Sequence, residues 1–400
     1  MTSMTLPSDT PRRRSRWPLF AMPIVLLIAA AAWSAFWFYA VSQAEVKADA
    51  WRAQEARSGR SYDCARQSVA GFPFRLEIRC DGARVTLTSQ TAGAAPMPVT
   101  INLDEILAVA QIYDPRLLIA EFKSPAAISE TANAPAMRVS WSVARSSVVG
   151  LPAVPQRASI VFDDVAIERV NNSSVQLPVA RAKHVELHGR MAEGSTPKDP
   201  VIESVLRIES GSAQDVHPLL ARPFGAEIRA KLTGLKDLTP KPWPERFREL
   251  QAGGGQVEIV QSRIQQDELI AVAAGRLGLN AQGQIDGELQ MTVTGLEKII
   301  PALGIEKMLE DGVPQATLDR IAPGVRSQDV TNQLGALDKA IPGLGRVVKQ
   351  NANAGVAAGI NALGKEATLE GKPARTFPLR FADGAVYLGP LKVGQVPPLF

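Results

Sequence analysis

Between Trp17 and Ala44 not one side chain carries a charge, and Arg12, Arg13, Arg14 and Arg16 stand immediately before the stretch. A run of about 20 apolar residues crosses the hydrocarbon core of a bilayer as a helix. Residues 18–41 are therefore expected to form one transmembrane anchor. Basic residues are retained on the cytoplasmic side. Residues 1–17 then read as a cytoplasmic basic tail, and the bulk of the chain lies across the membrane. Trp33, Phe36, Trp37, Phe38 and Tyr39 gather at the far end, where an aromatic belt belongs. A cleavable signal peptide is the competing reading, because Ser42-Gln43-Ala44 has small-x-small spacing. The apolar run is longer than the roughly 7–15 residues of a signal core, which favours a retained anchor.

The anchor also accounts for the charge. The net charge is +4, and the first 44 residues, with four Arg and one Asp, contribute +3 of it. The basic isoelectric point thus reports the tail and does not argue for nucleic-acid binding. Aromatic residues make up 6% and concentrate in the anchor, so no platform for stacking bases is visible. In an oxidising compartment outside the cytoplasm, Cys64 and Cys80 are expected to form a structural disulfide. A buried free pair is the alternative. Closing a loop of that size stabilises by about 3 kcal/mol in the chain-entropy model. No CxxC occurs, which speaks against redox catalysis.

Residues 42–60 carry mixed charges on helix-favouring residues and end at Gly59, predicting a stalk helix. Residues 61–400 form the large remaining domain. Phe74, Leu76 and Ile78 alternate with Arg75, Glu77 and Arg79 as a strand does. Asp81-Gly82 reads as a hairpin turn, with Cys80 at its tip and strand alternation resuming at Val85 and Leu87. Asn102 with Glu105 resembles an N-cap and its partner, and Leu103, Ile106, Leu107 and Ala110 lie at helical spacing before Asp114-Pro115. A helix is expected there. From Arg116 to Thr294 period two dominates, for example at Met137–Val143, Ala226–Leu232 and Ile285–Val293. One apolar and one polar face is the mark of antiparallel sheet wet on one side. Two echoes recur: Lys231–Leu238 resembles Thr292–Ile299, and the Phe72-Pro73 and Asp81-Gly82 segments resemble Phe377-Pro378 and Asp383-Gly384. Thr239–Pro244 followed by Gly253-Gly254-Gly255 either divides two sheets or forms a long loop within one. Residues 297–365 switch to helical spacing broken by Pro301, Pro314, Pro323 and Pro342, predicting short helices that cover the sheet. The fold class expected is α+β, mainly antiparallel sheet with short covering helices, preceded by one transmembrane helix.

The search for chemistry returns little. The histidines are His184, His188 and His217. In His184-Val185-Glu186-Leu187-His188 a strand would put both histidines and Glu186 on one face. That set lacks a further ligand for tetrahedral zinc, so a wet strand face is the simpler reading and no metal ligand is assigned. Asp163-Asp164 are adjacent, and adjacent strand residues point to opposite faces. They read as a turn or exposed strand end, not as an acid/base pair. There is no GxSxG elbow, and Gly253–Gly255 lacks the GK[ST] of a phosphate loop. No catalytic residue or cofactor is nominated. A one-sided sheet must still cover its apolar face with helices, another sheet or a ligand. An ordinary filled core and a trough left open for an acyl chain are the two outcomes.

The segments GFPFRLEIRC (71–80), NLDEILAVAQIYDP (102–115), GQIDGELQMTVTGLEKI (283–299) and FPLRFADGAVYLGPLKVGQVPPLF (377–400) resemble the family catalogued as domain of unknown function 2125, anchored envelope proteins of Gram-negative bacteria. The resemblance covers nearly everything after the anchor. It implies an inner-membrane anchor with a periplasmic domain, and it brings no activity, cofactor or catalytic residue. GRLGLNAQGQIDGELQMTVTGL (275–296) is also similar to strand repeats of AsmA-type envelope proteins, linked to outer-membrane lipid homeostasis. The function expected is noncatalytic: envelope maintenance, by holding or passing lipid such as phospholipid along an apolar sheet face. The competing expectation is a structural protein that docks other envelope proteins without lipid contact, and an enzyme ranks third.

Overall fold

The computed structural model describes residues 17–89, 97–129, 136–151, 153–170, 176–214, 218–295 and 364–400 except 390, with isolated positions between 326 and 354. The basic tail, His217 and almost all of the expected covering helices at 297–365 lie outside the described residues.

The N-terminal apolar run is one continuous helix, α1 (Trp17–Arg57), which includes the expected stalk. It is long and apolar enough to cross a membrane. At a rise of 1.5 Å per residue it extends for about 60 Å, twice the thickness of a bilayer core. Its second half must therefore stand on the protein rather than in lipid. Gly59, in the left-handed region at φ 78°, turns the chain out of the helix into the sheet.

All eighteen described strands belong to one antiparallel sheet. β1 (Arg60–Ala70), β2 (Arg75–Ser89) and β3 (Met97–Gln111) pair in order. β3 then pairs with two shorter strands laid end to end, β4 (Leu117–Phe122) and β5 (Ala126–Ser129). These lead to β7 (Val143–Val149) and β6 (Met137–Ser140), both of which pair with β8 (Arg157–Val170). β9 (Gln176–Met191), β10 (Ile202–Ala213) and β11 (Phe224–Thr233) follow. β11 pairs with β12 (Gln256–Gln266) across the proline-rich and triple-glycine segment, which encloses a helix, α2 (Trp243–Ala252). β13 (Leu269–Leu279), β14 (Ile285–Thr294), β16 (Lys372–Ala382), β17 (Ala385–Leu388) and β18 (Leu391–Gln395) complete the ladder. β15 (Lys365–Leu369) lies beside β16.

Three local expectations are corrected, and one feature explains them. Residues 102–111 are strand β3, not helix. Asp81-Gly82 lies within β2, which runs straight through it, so Cys80 is mid-strand. Asp163-Asp164 lies within β8, not at a turn or strand end. All three sites fall on a crease that crosses the sheet. Ala83, Leu103 and Ala126 form a buried cluster with Cys80, Ile101, Ile106 and Phe122 packed on it. On β2 the inward positions therefore change from even (Cys80) to odd (Ala83), and on β3 from odd (Leu103) to even (Ile106). Two consecutive residues leave by the polar face, and the alternation restarts one residue out of phase. The register places Ala65 of β1, Gly82 and Asp104 side by side. The line continues through the break between β4 and β5, that between β6 and β7, and Asp164 opposite Lys183, to Ser210. Gly82, Asp164 and Ser210 all have positive φ (59°, 50° and 51°). A phase slip turns spacing two into spacing three, and Leu103, Ile106 and Ala110 then mimic a helix face. The second expected turn, Asp383-Gly384, does join β16 to β17, with φ 50° and 71° as a two-residue hairpin requires.

Candidate functional site

Three groups of residues define the site: the seat of α1 on the sheet, the apolar face that α1 begins to cover, and the polar face behind it.

α1 is held by its own aromatic belt. Trp37 is 6% exposed and packs with Leu76 and Ile112, flanked by Trp33, Ala40, Val41, Ala44 and Val69. The Trp33 Nε1–H donates to the Pro73 carbonyl at 2.8 Å, and that of Trp37 to the Arg75 carbonyl at 3.1 Å. The rings of Trp37 and Phe72 meet edge to face at 5.4 Å, and those of Trp33 and Phe74 lie 6.1 Å apart. The β1–β2 turn thus presents two carbonyls and two phenyl rings to the helix. Gly71 makes the turn possible: at φ 101°, a Cβ there would lie 2.6 Å from the Arg75 carbonyl oxygen.

Further along, Trp51 packs on Tyr62 at 4.7 Å, and Arg52 donates to Gln67. Cys64 and Cys80 are joined as expected, 16 residues apart in sequence, tying β1 to β2 across the crease. Tyr62, Gln67, Val69 and Leu76 all belong to the apolar face, so α1 is a covering helix at this edge. The end of α1 then meets a distant strand connection. The Ser58 hydroxyl donates to the Pro240 carbonyl at 3.1 Å, and Arg60 donates to that of Lys241 at 3.2 Å while pairing with buried Glu55. β1 and β11 are eight ladder steps apart, about 38 Å in a flat sheet. The seven residues from Thr233 to Pro240 reach about 24 Å even when fully extended. The sheet therefore curls, and because α1 stands on the apolar face, that face is the concave one.

The connection from β11 is braced for this contact. Lys241 bridges Asp237 and Glu249 at 2.9 and 2.6 Å, and Arg246 reaches the same two carboxylates at 3.2 and 2.8 Å. Burial pushes the Asp237 carboxyl up, but bonds from Thr239, Lys241 and Arg246 outweigh it and hold the group far below its ordinary range. Glu249 is likewise lowered, burial opposing and the Lys241 bond and Lys236 amide prevailing. The Lys241 ammonium is raised in turn, chiefly by its bond to Glu249.

The apolar face runs from β2 to β17, with Ser146, Ser204 and Ser262 as polar positions on it. Opposed positions such as Ile160–Leu187, Leu187–Leu206, Leu206–Ile228 and Leu289–Leu379 carry it from strand to strand. It is well buried at the two ends, at Leu76 and Ala83 on one side and at Val293 and Phe377 on the other. In the middle the buried apolar side chains are only the small ones of Ala182 and Ala226. Leu187 is 45% exposed and Ile264 37%, and the Leu206, Ile208 and Ile228 side chains between them are only half-buried. Leu187 and Ile264 thus border an incompletely covered apolar surface on β9–β12.

The polar face carries rows of ion pairs. His184, Glu186 and His188 do share one face, as their spacing predicts. His184 Nδ1 lies 2.6 Å from Asp163, His188 Nε2 lies 3.0 Å from Glu186, and Glu186 also pairs with Arg207, which reaches Glu227 at 3.4 Å. The Asp163 bond raises the His184 pKa, and the His188 bond lowers that of Glu186. With an arginine seated between the carboxylates, the set is a cross-strand charge ladder. No group of three ligating side chains suited to a metal ion occurs among the described residues. Asp163 and Asp164 both leave by this face because of the crease, yet they have separate partners, His184 and the Ser142 hydroxyl. The seat of α1, the crease and the curl have no single-residue signature in the sequence. The one available signal was the pairing of GFPF with an aromatic-rich helix end.

The features define a class: a long antiparallel sheet, curled around an apolar face and mounted on a single N-terminal apolar helix. The family model described as an uncharacterized protein conserved in bacteria (DUF2125) matches residues 37–397, and the chain belongs to that family. A search of curated proteins finds no match.

Proposed function

We propose that this is a noncatalytic, inner-membrane-anchored periplasmic protein that holds or passes lipid along its apolar sheet face. The observation that carries the reading is the half-exposed middle of that face, flanked by Leu187 and Ile264. Apolar strands are normally packed to crystal-like density, and a contiguous exposed apolar surface on a folded protein marks a ligand or partner site. An acyl chain suits a surface of Leu187, Leu206, Ile208, Ile228 and Ile264, on which the Ser204 hydroxyl is already bonded to the Ala230 carbonyl. The retained anchor is supported by the seat of α1: cleavage after Ala44 would remove Trp33 and Trp37 from under the β1–β2 turn. The oxidised Cys64–Cys80 pair agrees with an oxidising compartment.

The test is detergent-free extraction of the full chain in polymer-bounded membrane discs, then release of the domain and lipid mass spectrometry of what stays bound. Stoichiometric phospholipid, reduced in Leu187→Glu, is the expected result. Lipid bound equally to both proteins, or to neither, sinks it. A second reading rests on β18, which pairs only with β17 among the described strands. Such an edge can accept a strand from another envelope protein. Absence of lipid together with loss of a co-purifying partner on introducing Gln395→Pro would favour that reading.

A further inference from the structure

Phe72 and Phe74, at the tip of the β1–β2 turn, are 54% and 60% exposed, and Tyr113, beside buried Ile112, is 68% exposed. The Ile112 amide donates to the Phe74 carbonyl at 3.0 Å, so the three rings belong to one rim. The position of that rim relative to a bilayer follows from α1. A span of 20 residues fills the hydrocarbon core. Begun at Trp17 or at Phe20, the first described apolar positions, it ends at Phe36 or Tyr39. Phe74 lies against Trp33, three to six residues earlier, which places it about 5–9 Å below the core boundary. Phe72 lies against Trp37, at the boundary itself.

We propose that this rim is a membrane-docking surface: Phe72 and Phe74 enter the leaflet on the domain's side beside α1, with Tyr113 at the level of the lipid headgroups. The exposure of the three rings is then exposure to lipid. Arg75 and Arg116, 59% and 75% exposed on the same rim, pair through Nε with Glu77 and Asp114 at 2.6 and 3.0 Å, and their remaining guanidinium N–H groups would donate to lipid phosphates. Two hydrogen bonds from α1 and a buried tryptophan fix the turn at this depth. The sheet therefore stands on the bilayer at a set tilt instead of swinging on a stalk. The surface does not depend on lipid being carried by the middle of the apolar face.

The test uses the full chain in phosphatidylethanolamine/phosphatidylglycerol nanodiscs. A benzophenone amino acid, close in shape to the aromatic it replaces, is installed at 72, 74 or, as a control, at exposed Val260. Ultraviolet irradiation should give phospholipid adducts at 72 and 74 and at least tenfold less at 260. Tyr113→Cys, an exposed position whose exchange leaves the turn packing intact, is spin-labelled alongside. Its collision rate with oxygen relative to a water-soluble nickel chelate should exceed that of a label at 260. Adduct yields at 72 and 74 no higher than at 260, or a nickel-accessible label at 113, overturn the proposal.

Discussion

Replacing Trp37 tests whether the anchor helix and the sheet are one folded unit. Its side chain is buried, its Nε1–H donates to the Arg75 carbonyl, and its ring packs edge to face on Phe72. Truncating a buried tryptophan to alanine costs about 3–5 kcal/mol. The hydrogen bond accounts for about 0.5–1.5 kcal/mol of it. Trp37→Phe keeps most of the apolar area and loses the bond, so it should cost about 1 kcal/mol, somewhat more for the carbonyl left unpaired. The readout is amide hydrogen exchange in the reconstituted full chain. The Arg75 amide, bonded to the Gly71 carbonyl, and the Ile112 amide, bonded to that of Phe74, report opening of the turn. With 1.4 kcal/mol equal to a factor of ten, Trp37→Ala should speed their exchange at least a hundredfold and Trp37→Phe roughly five- to tenfold. Amides of β13 should not change. Unchanged exchange at Arg75 and Ile112 in Trp37→Ala would refute the reasoning, because α1 would then be a tether with no hold on the sheet.

Further outcomes are expected. Reducing the disulfide, or replacing Cys64 and Cys80 by serine, should lower the stability of the β1–β2 region by about 3 kcal/mol for a loop of this length, read by denaturant melts followed with near-ultraviolet circular dichroism. Gly82→Val should destabilise by about 1–2 kcal/mol for its left-handed backbone alone, and further because a Cβ there would lie 2.9 Å from that of Ala65. Leu187→Glu should leave the thermal midpoint within a few degrees while reducing bound lipid, since the side chain is already nearly half in solvent. Asp237 and Glu249 have folded pKa values below their unfolded ones. Their contribution is therefore complete above the unfolded carboxylate pKa of about 4 and is lost as pH falls through the folded values. Acidification should weaken the hold of the Pro240–Lys241 connection on the end of α1 progressively below about pH 4 and release it only as pH falls through the folded values, and Asp237→Asn should weaken it at neutral pH. Exchange of the Lys236 amide, bonded to the Glu249 carboxylate, relative to its intrinsic rate at each pH is the measurement. His184 has the opposite sign: its raised pKa adds stability below its unfolded pKa of about 6.5, lost as pH rises through the folded value. Its pair with Asp163 is partly open to solvent, so screening should hold the change on removing it to about 1 kcal/mol or less.

The sequence by itself determined the elements whose physics is local. A charge-free run behind four arginines is a membrane-length helix whatever follows it. Strict alternation at Ala226–Leu232 and Ile285–Val293 can satisfy its apolar side chains only in a one-sided sheet. Two cysteines, 16 residues apart and read as lying outside the cytoplasm, were expected to be joined, and they are. His184, Glu186 and His188 were placed on one face by spacing alone. What only the tertiary structure decided is where alternation changes phase and what the faces meet. Residues 102–111 carry a helix pattern because Asp104 lies on a crease running through strands as far as Ser210, more than 100 residues away in sequence. No local window records that alignment. The curl toward the apolar face rests on two bonds from Ser58 and Arg60 to carbonyls more than 180 residues later. The sequence places the aromatic belt of α1 at the far membrane boundary and does not say what its rings meet. Trp33 and Trp37 carry the β1–β2 turn, because an indole has both an apolar body and an N–H, and that turn supplied the matching rings and carbonyls.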